Sequence, residues 1–173
     1  MRRVRRTAST AKTMANTELI EMQLEQKQLL RNLLELYQHD LSEYDGTDVS
    51  ENGLYGYEFV DHYWVEAGRH PFLIRVDGGI AGFVMVRQNG GPDSHELAEF
   101  FIMRKYRRNG VGTEVAHQVF DRFPGKWVVL QMPGNKPSQV FWRRVIAQYT
   151  GGNYREVSVP DYPGWPAQEF ETR

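Results

Sequence analysis

The sequence predicts a mixed α/β (α+β) fold, on three observations. Strand-like and helix-like periodicities alternate along the chain, an Asp-Gly-Gly turn joins two apolar runs near its middle, and neither a repeat nor a domain-sized linker divides its 173 residues. That length fits one domain with a substantial core.

Thr17–Met22 alternates polar and apolar residues, which predicts a first strand. Leu29, Leu30, Leu33, Leu34, Tyr37 and Leu41 recur at three- and four-residue spacing, which predicts an amphipathic helix. Residues 45–56 are rich in Gly, Asp, Ser and Asn and read as a loop, and 57–66 as a second, short helix ending near Gly68. The runs 71–76 and 80–87 flank Asp77-Gly78-Gly79 and predict a β-hairpin. The second of them, IAGFVMVR, is apolar almost throughout, as in a strand covered on both faces. A third strand follows over 95–103, then a helix over 110–123 stopped by Pro124-Gly125. Residues 127–132 read as a strand and 137–148 as a helix ended by Gly151-Gly152. Two closing strands, 154–159 and 168–172, flank a loop of prolines and glycines and leave a homodimer through them open.

Composition narrows the function classes. The chain has no cysteine, which excludes disulfides, thiolate metal sites and a cysteine nucleophile. No apolar run approaches the ~18 residues that span a membrane, so a cytoplasmic protein is expected. The formal charge of −1 conceals an asymmetry: residues 1–13 carry Arg2, Arg3, Arg5, Arg6 and Lys12 and no acid. The remaining 160 residues hold 16 bases against 22 acids. Met14 begins a conventional-looking sequence, so residues 1–13 are expected to be a disordered basic extension of a domain over 14–173.

The stretch 106–113, Y-R-R-N-G-V-G-T, lies between the predicted third strand and the helix after it. Glycines at a helix start expose free backbone N–H groups, which with the helix dipole suit an anion such as a pyrophosphate. Arg104, Lys105, Arg107 and Arg108 crowd positive charge beside it. The dinucleotide pattern G-x-G-x-x-G fails at Val115, and a Gly-Lys-Ser/Thr ending is absent. Arg107-x-x-Gly110-x-Gly112 resembles the Q/R-x-x-G-x-G/A signature of the GNAT N-acetyltransferases. It follows Phe100-Phe101-Ile102, and Asn135, Ser138 and Phe141-Trp142 are similar to that family's N-x-x-A-x-x-F/Y-Y segment.

The resemblance implies a single mixed, mostly antiparallel sheet flanked by helices. It also implies acetyl-CoA (coenzyme A) as cosubstrate. The amides of Arg107, Arg108, Asn109, Gly110, Val111, Gly112 and Thr113 would cradle the pyrophosphate. The backbone of Phe100, Phe101 and Ile102 would pair with the pantetheine arm. Asn135 would contact that arm, and Phe141 and Trp142 would line its wall.

Without a cysteine, direct attack of a primary amine on the thioester in a ternary complex is expected, aided by a general base. Glu96 is the leading candidate, eleven residues before Arg107, where the resemblance implies a catalytic glutamate as in some family members, with Glu99 or His95 as substitutes. Simple strand alternation places Glu96 on the face of Ala98, Phe100 and Ile102 and turns Glu99 the other way. Burial there is expected to raise the carboxyl toward neutrality. Trp142 stands where many family members carry a tyrosine, and an indole cannot protonate a thiolate. Tyr149 and Tyr154 are the alternative acids, alongside water.

The resemblance implies an acceptor cleft built by the first two helices and their loop, where this chain offers His39, Asp40, Glu43, Tyr44, Asp45, Tyr55, Tyr57, Asp61, His62 and Tyr63. Carboxylates and aromatic faces suit a cationic small-molecule amine. No His has a second ligand at a convincing spacing, so no metal is expected. The competing readings are a regulatory acyl-CoA-binding module that has lost turnover, favoured by Trp142, and a nucleic-acid binder using the basic arm and the stretch 104–108.

Overall fold

A computed structural model describes residues 15–173; the basic stretch discussed above lies outside the described residues. Seven strands form one sheet in the order β1-β2-β3-β4-β5-β7-β6. They are β1 (Thr17–Glu21), β2 (Arg69–Val76), β3 (Gly79–Gln88), β4 (Ser94–Ile102), β5 (Gly125–Leu130), β6 (Tyr154–Val157) and β7 (Ala167–Thr172). Only β4 and β5 pair in parallel; every other pair is antiparallel.

The expected hairpin is present: Asp77 and Gly78 both have positive φ (49° and 78°) and close β2 onto β3 with Val76 opposite Gly79. Positive φ at both central residues matches the right-handed twist of the strands it joins. The all-apolar run in β3 is explained by cover on both faces. One core layer, with Val84, Val86, Val115, Phe120, Trp127 and Ile146, lies under α2 (Val111–Arg122) and α3 (Lys136–Thr150). The other, with Phe83, Met85, Leu30, Leu33 and Leu34, lies under α1 (Lys27–Asp45). Each fully buried side chain of this size contributes roughly 1.5–3 kcal/mol. The parallel β4–β5 step needs a crossover, which α2 supplies.

The short helix expected over 57–66 is instead a single 3-10 segment, Val60–Trp64. Its buried residues, Val60 and Tyr63, are three apart, and a three-residue turn stacks such a pair on one face. Helix α1 runs on to Asp45 and is stopped by Gly46 at φ 70°. The loop beyond is drawn back onto α1 by Glu35, whose carboxylate accepts from the N–H groups of Tyr55 (2.7 Å) and Gly56 (3.0 Å).

Candidate active site

Strands β4 and β5 are joined only at Ser94–Glu96 opposite Lys126–Val128. Beyond that point β4 continues along β3 as far as Ile102, while β5 continues along β7 as far as Leu130. The two diverge, and a cleft of about 300 Å³ opens between them, with Leu97, Ala98, Glu99 and Phe100 on one bank and Leu130, Gln131 and Met132 on the other. The β4 main chain along this bank has no strand partner on the cleft side.

A β-bulge changes the face on which the carboxylates sit. Met85 pairs with Glu99 and Val86 with Leu97, so Ala98 is one residue too many on β4. Leu97, Phe100 and Ile102 pack toward α2 and α3, whereas Ala98, Phe101 and Met103 pack toward α1. The bulge therefore resets the alternation. Contrary to the simple pattern, Glu96 is not on the face of Phe100 and Ile102, and Glu99 does not point away from it. Both carboxylates reach the cleft from the α1 side.

Their environments differ. Glu96 is buried, with Oε1 accepting from Arg87 (2.7 Å) and Oε2 from Asn89 (2.9 Å). Glu99 contacts no cation among the described residues; Tyr37 donates to its Oε2 (2.7 Å) and Tyr57 to its Oε1 (2.8 Å). Desolvation raises the Glu99 carboxyl above its ordinary range, and the two tyrosine hydrogen bonds and the Arg87 charge only partly offset it. Burial and the facing carboxylate push both Tyr37 and Tyr57 upward, so they remain neutral donors. His95 takes no part: its Nε2 meets the Pro124 carbonyl (3.1 Å) and its ring packs on Phe123 and Trp127.

On the opposite side of the gap, Gly110 has φ 83° and starts α2. The first helical bond is Glu114 N–H to the Gly110 carbonyl, so the amides of Val111, Gly112 and Thr113 precede any intrahelical partner. The Arg107 amide is already bonded to the Arg104 carbonyl (3.2 Å), so the free run of amides starts at Arg108, not at Arg107 as expected. Gly112 answers a different need: a Cβ there would lie 3.1 Å from Phe141. Phe141 and Trp142 pack against each other (4.9 Å) and both against Phe100 (6.1 and 4.9 Å), forming an aromatic wall. Asn135 caps α3 through its Oδ1, which accepts from Ser138 N–H (3.0 Å); its amide nitrogen remains as a donor at the cleft.

Splayed central strands with a cleft between them, and a glycine turn of free amides at the start of α2 outside the lining of that cleft, match what sequence comparison finds. The profile of the Acetyltransferase (GNAT) family matches residues 30–146. The chain belongs to the GNAT acetyltransferase family. No curated protein sequence matches it. Among solved structures, it is similar to an acetyltransferase from Thermus thermophilus (13% identity, 91% of this chain and 98% of that one, TM-score 0.68). It is also similar to Mycobacterium smegmatis RimJ in complex with CoA-disulfide (16%, 90% and 81%, TM-score 0.62). A third is the Vibrio cholerae spermidine N-acetyltransferase in complex with CoA and spermine (13%, 90% and 95%, TM-score 0.61). At these identities the likeness concerns the fold.

In this GNAT chain, few of the residues expected to build the acceptor cleft reach it. Asp45 lines it, and Tyr57 reaches it through Glu99. Asp40 instead binds Arg104 (2.7 Å) and Arg107 (2.5 Å), and Arg107 also donates to the Ile102 carbonyl (2.6 Å). Two of the four expected phosphate-side charges are thus tied to α1. Burial raises the Asp40 carboxyl, but the bonds from Arg107 and Arg104 together bring it below its ordinary value. Asp61 pairs with Lys27 and Arg31, His62 with Glu66, and His39 with Tyr55. Tyr149 donates to Asp121 (2.7 Å) and packs on Phe120, and neither it nor Tyr154 lines the cleft. Two aromatic residues not anticipated do line it: Tyr162 and Trp165, whose rings pack at a tilt (5.2 Å, 51°) in the loop between β6 and β7. Only their Pro- and Gly-rich setting marked them in the sequence, as a loop. Among the described residues, no three His, Asp or Glu side chains group as metal ligands, and no helix is long and apolar enough to cross a membrane.

Proposed function

We propose that this chain is an acetyl-CoA-dependent N-acetyltransferase acting on a primary amine of a cationic small molecule, by direct attack in a ternary complex. The observation that carries the reading is the opening of β4 from β5, with free helix-start amides on one side of the sheet and the Glu99 carboxyl on the other. Acetyl-CoA supplies the acetyl group as a thioester. The residues fit such a ligand. The amides of Arg108, Asn109, Gly110, Val111, Gly112 and Thr113 suit its pyrophosphate, and the unpaired β4 edge at Phe100, Phe101 and Ile102 suits its amide-bearing arm. The Asn135 amide nitrogen is a further donor, and Phe141 and Trp142 form an apolar wall.

Glu99 is the better base. Glu96 already holds a guanidinium, whereas Glu99 is held by neutral hydroxyls and is raised toward the operating range. It takes a proton from the arriving ammonium, and the neutral amine then attacks the thioester carbonyl. Tyr37 is committed to Glu99, which leaves Tyr162 as the tyrosine of the cleft wall that can return a proton to the departing thiolate. Asp45, Glu96 and Glu99 against Arg87 give the cleft a negative excess, and Tyr162 and Trp165 add aromatic faces, a combination suited to a cation. The spermidine enzyme among its structural relatives is consistent with that class.

Calorimetric titration with acetyl-CoA, followed by thiol release against a panel of polyamines, aminoglycosides, amino acids and peptide N-termini, tests the reading. Micromolar binding with thiol release for at least one cationic amine is expected. Absence of binding overturns it. Binding without turnover against the whole panel selects instead the regulatory module, for which Trp142 is the specific feature.

A further inference from the structure

One buried group lining the cleft has no role in this reading. Gln131, just beyond the end of β5, is 2% exposed, and its Oε1 has no hydrogen-bond partner among the described residues. Its Nε2 donates to the Val129 carbonyl (2.9 Å) and to the Gln168 Oε1 (2.9 Å). A buried carbonyl oxygen left bare is expensive, so a protein that keeps one has a use for it or fills it with ligand or water.

The orientation of that amide is dictated from a distance. Gln168 is fully buried, and its Nε2 donates to Glu156 Oε2 (3.0 Å). Glu156 also accepts from Arg143 Nε (2.8 Å), and chiefly that bond, with the one from Gln168, holds its carboxyl below the ordinary range. An ionised carboxylate accepts and never donates. Gln168 must therefore turn its NH2 to Glu156 and its oxygen to Gln131. Gln131 must in turn spend its NH2 on that oxygen and on Val129, which leaves its own oxygen as the free end. Flipping Gln131 alone would set its oxygen against two acceptors.

We propose that Gln131 is a substrate-positioning residue, its side-chain carbonyl accepting an N–H of the ligand in the cleft, with the acceptor end fixed from the outer edge of the sheet by Glu156 through Gln168. Val129, which shares a face with Gln168, packs in the layer under α2 and α3. That places Gln131 on the same side of the sheet as Asn135 and Trp142, across from Glu99. An amide N–H of the pantetheine arm and an N–H of the acceptor amine offer the same chemistry, and kinetics separate them. The inference rests on the acyl-CoA reading of this cleft, but it fails independently: wild-type binding of coenzyme A tests that reading, and the variants below test Gln131.

Gln131→Met keeps the length of the side chain and removes the acceptor. The expected result is a rise of about tenfold in one Michaelis constant, or in the coenzyme A dissociation constant if no amine is turned over, with kcat changed far less. A rise confined to acetyl-CoA assigns the partner to the pantetheine arm; a rise confined to the amine assigns it to the acceptor. Glu156→Gln lies outside the cleft and frees both amides to flip. It is expected to reproduce a smaller rise of about threefold in the same constant. An analogue of acetyl-CoA with one pantetheine N–H replaced by oxygen is expected to bind more weakly to wild type and equally to Gln131→Met, if the arm is the partner. Unchanged constants in Gln131→Met, whether its melting temperature rises or falls, overturn the proposal. If that variant fails to fold, unchanged constants in Glu156→Gln overturn it instead.

Discussion

The two sides of the sheet solve different problems at the same gap. Toward α2 and α3 the cleft is bounded by Phe100, Asn135 and Trp142, and beyond its lining lie Phe141 and the free main-chain amides at the glycine-started α2. Toward α1 it is bounded by paired side chains: Glu96 with Arg87, and Glu99 with Tyr37 and Tyr57. Backbone groups keep one charge state at every pH, so the first side is built to hold a ligand. A carboxyl titrates, and the neutral hydroxyls of Tyr37 and Tyr57 hold that of Glu99, so the second side suits proton transfer. Changes on the first side are therefore expected in Michaelis constants, and changes on the second in kcat and its pH profile.

The largest expected effect tests the second half of that contrast. Glu99→Gln removes the base and is expected to lower kcat by roughly 10²–10³-fold. A base works only when ionised, and the Glu99 carboxyl is raised, so the wild-type rate falls as pH drops through that raised value; the acid limb is expected to vanish in the variant. Glu96→Gln is expected to keep the limb with a smaller loss. If the limb follows Glu96 instead, the two carboxylates exchange roles. The same upward displacement carries a stability sign: Glu99 favours the folded state below its ordinary carboxyl value, and that contribution is lost as pH rises through the folded one.

Next in size, Gly110→Ala places a side chain at φ 83°, which costs about 1–2 kcal/mol and distorts the amide run. A rise of about tenfold in the acetyl-CoA Michaelis constant with nearly unchanged kcat is expected in steady-state assays. A large fall in kcat at saturating acetyl-CoA would blur the division between the two sides.

Tyr162→Phe is expected to slow turnover by about tenfold, with no change in coenzyme A affinity. Trp142→Tyr in that background sharpens the point: recovered turnover would show that a hydroxyl on the α3 side can replace one from the β6–β7 loop.

Asp40→Asn is expected to have the smallest effect. Its partners Arg104 and Arg107 are largely exposed, so the loss is below about 1 kcal/mol. Because the Asp40 carboxyl is held low, its contribution is present above the ordinary carboxyl range and is lost only as pH falls through the folded value. Thermal melts at neutral and acid pH are expected to converge between wild type and variant at the acid end. A loss of coenzyme A affinity beyond threefold would give α1 a share in holding the cofactor.

The sequence by itself determined the features that depend on local chemistry. The Asp77-Gly78 hairpin, the amphipathic α1, the glycine-started α2 and the Asn135 cap of α3 are each set by residues within a few positions of one another, because turn dihedrals, helix periodicity and capping are short-range. The α2 and α3 side of the site inherits that legibility. The α1 side was decided by tertiary structure. One extra residue on β4 turned Glu96 and Glu99 to a common face, a result that alternation along β4 alone does not contain, since the bulge is defined by pairing with β3. Tyr162 and Trp165 line the same cleft as Glu99 because β7 inserts between β5 and β6 and carries their loop back to the gap. Asp40 left the expected acceptor group for two arginines more than sixty positions away in the chain. Contacts of that span depend on how the strands are ordered, and strand order is a property of the assembled sheet.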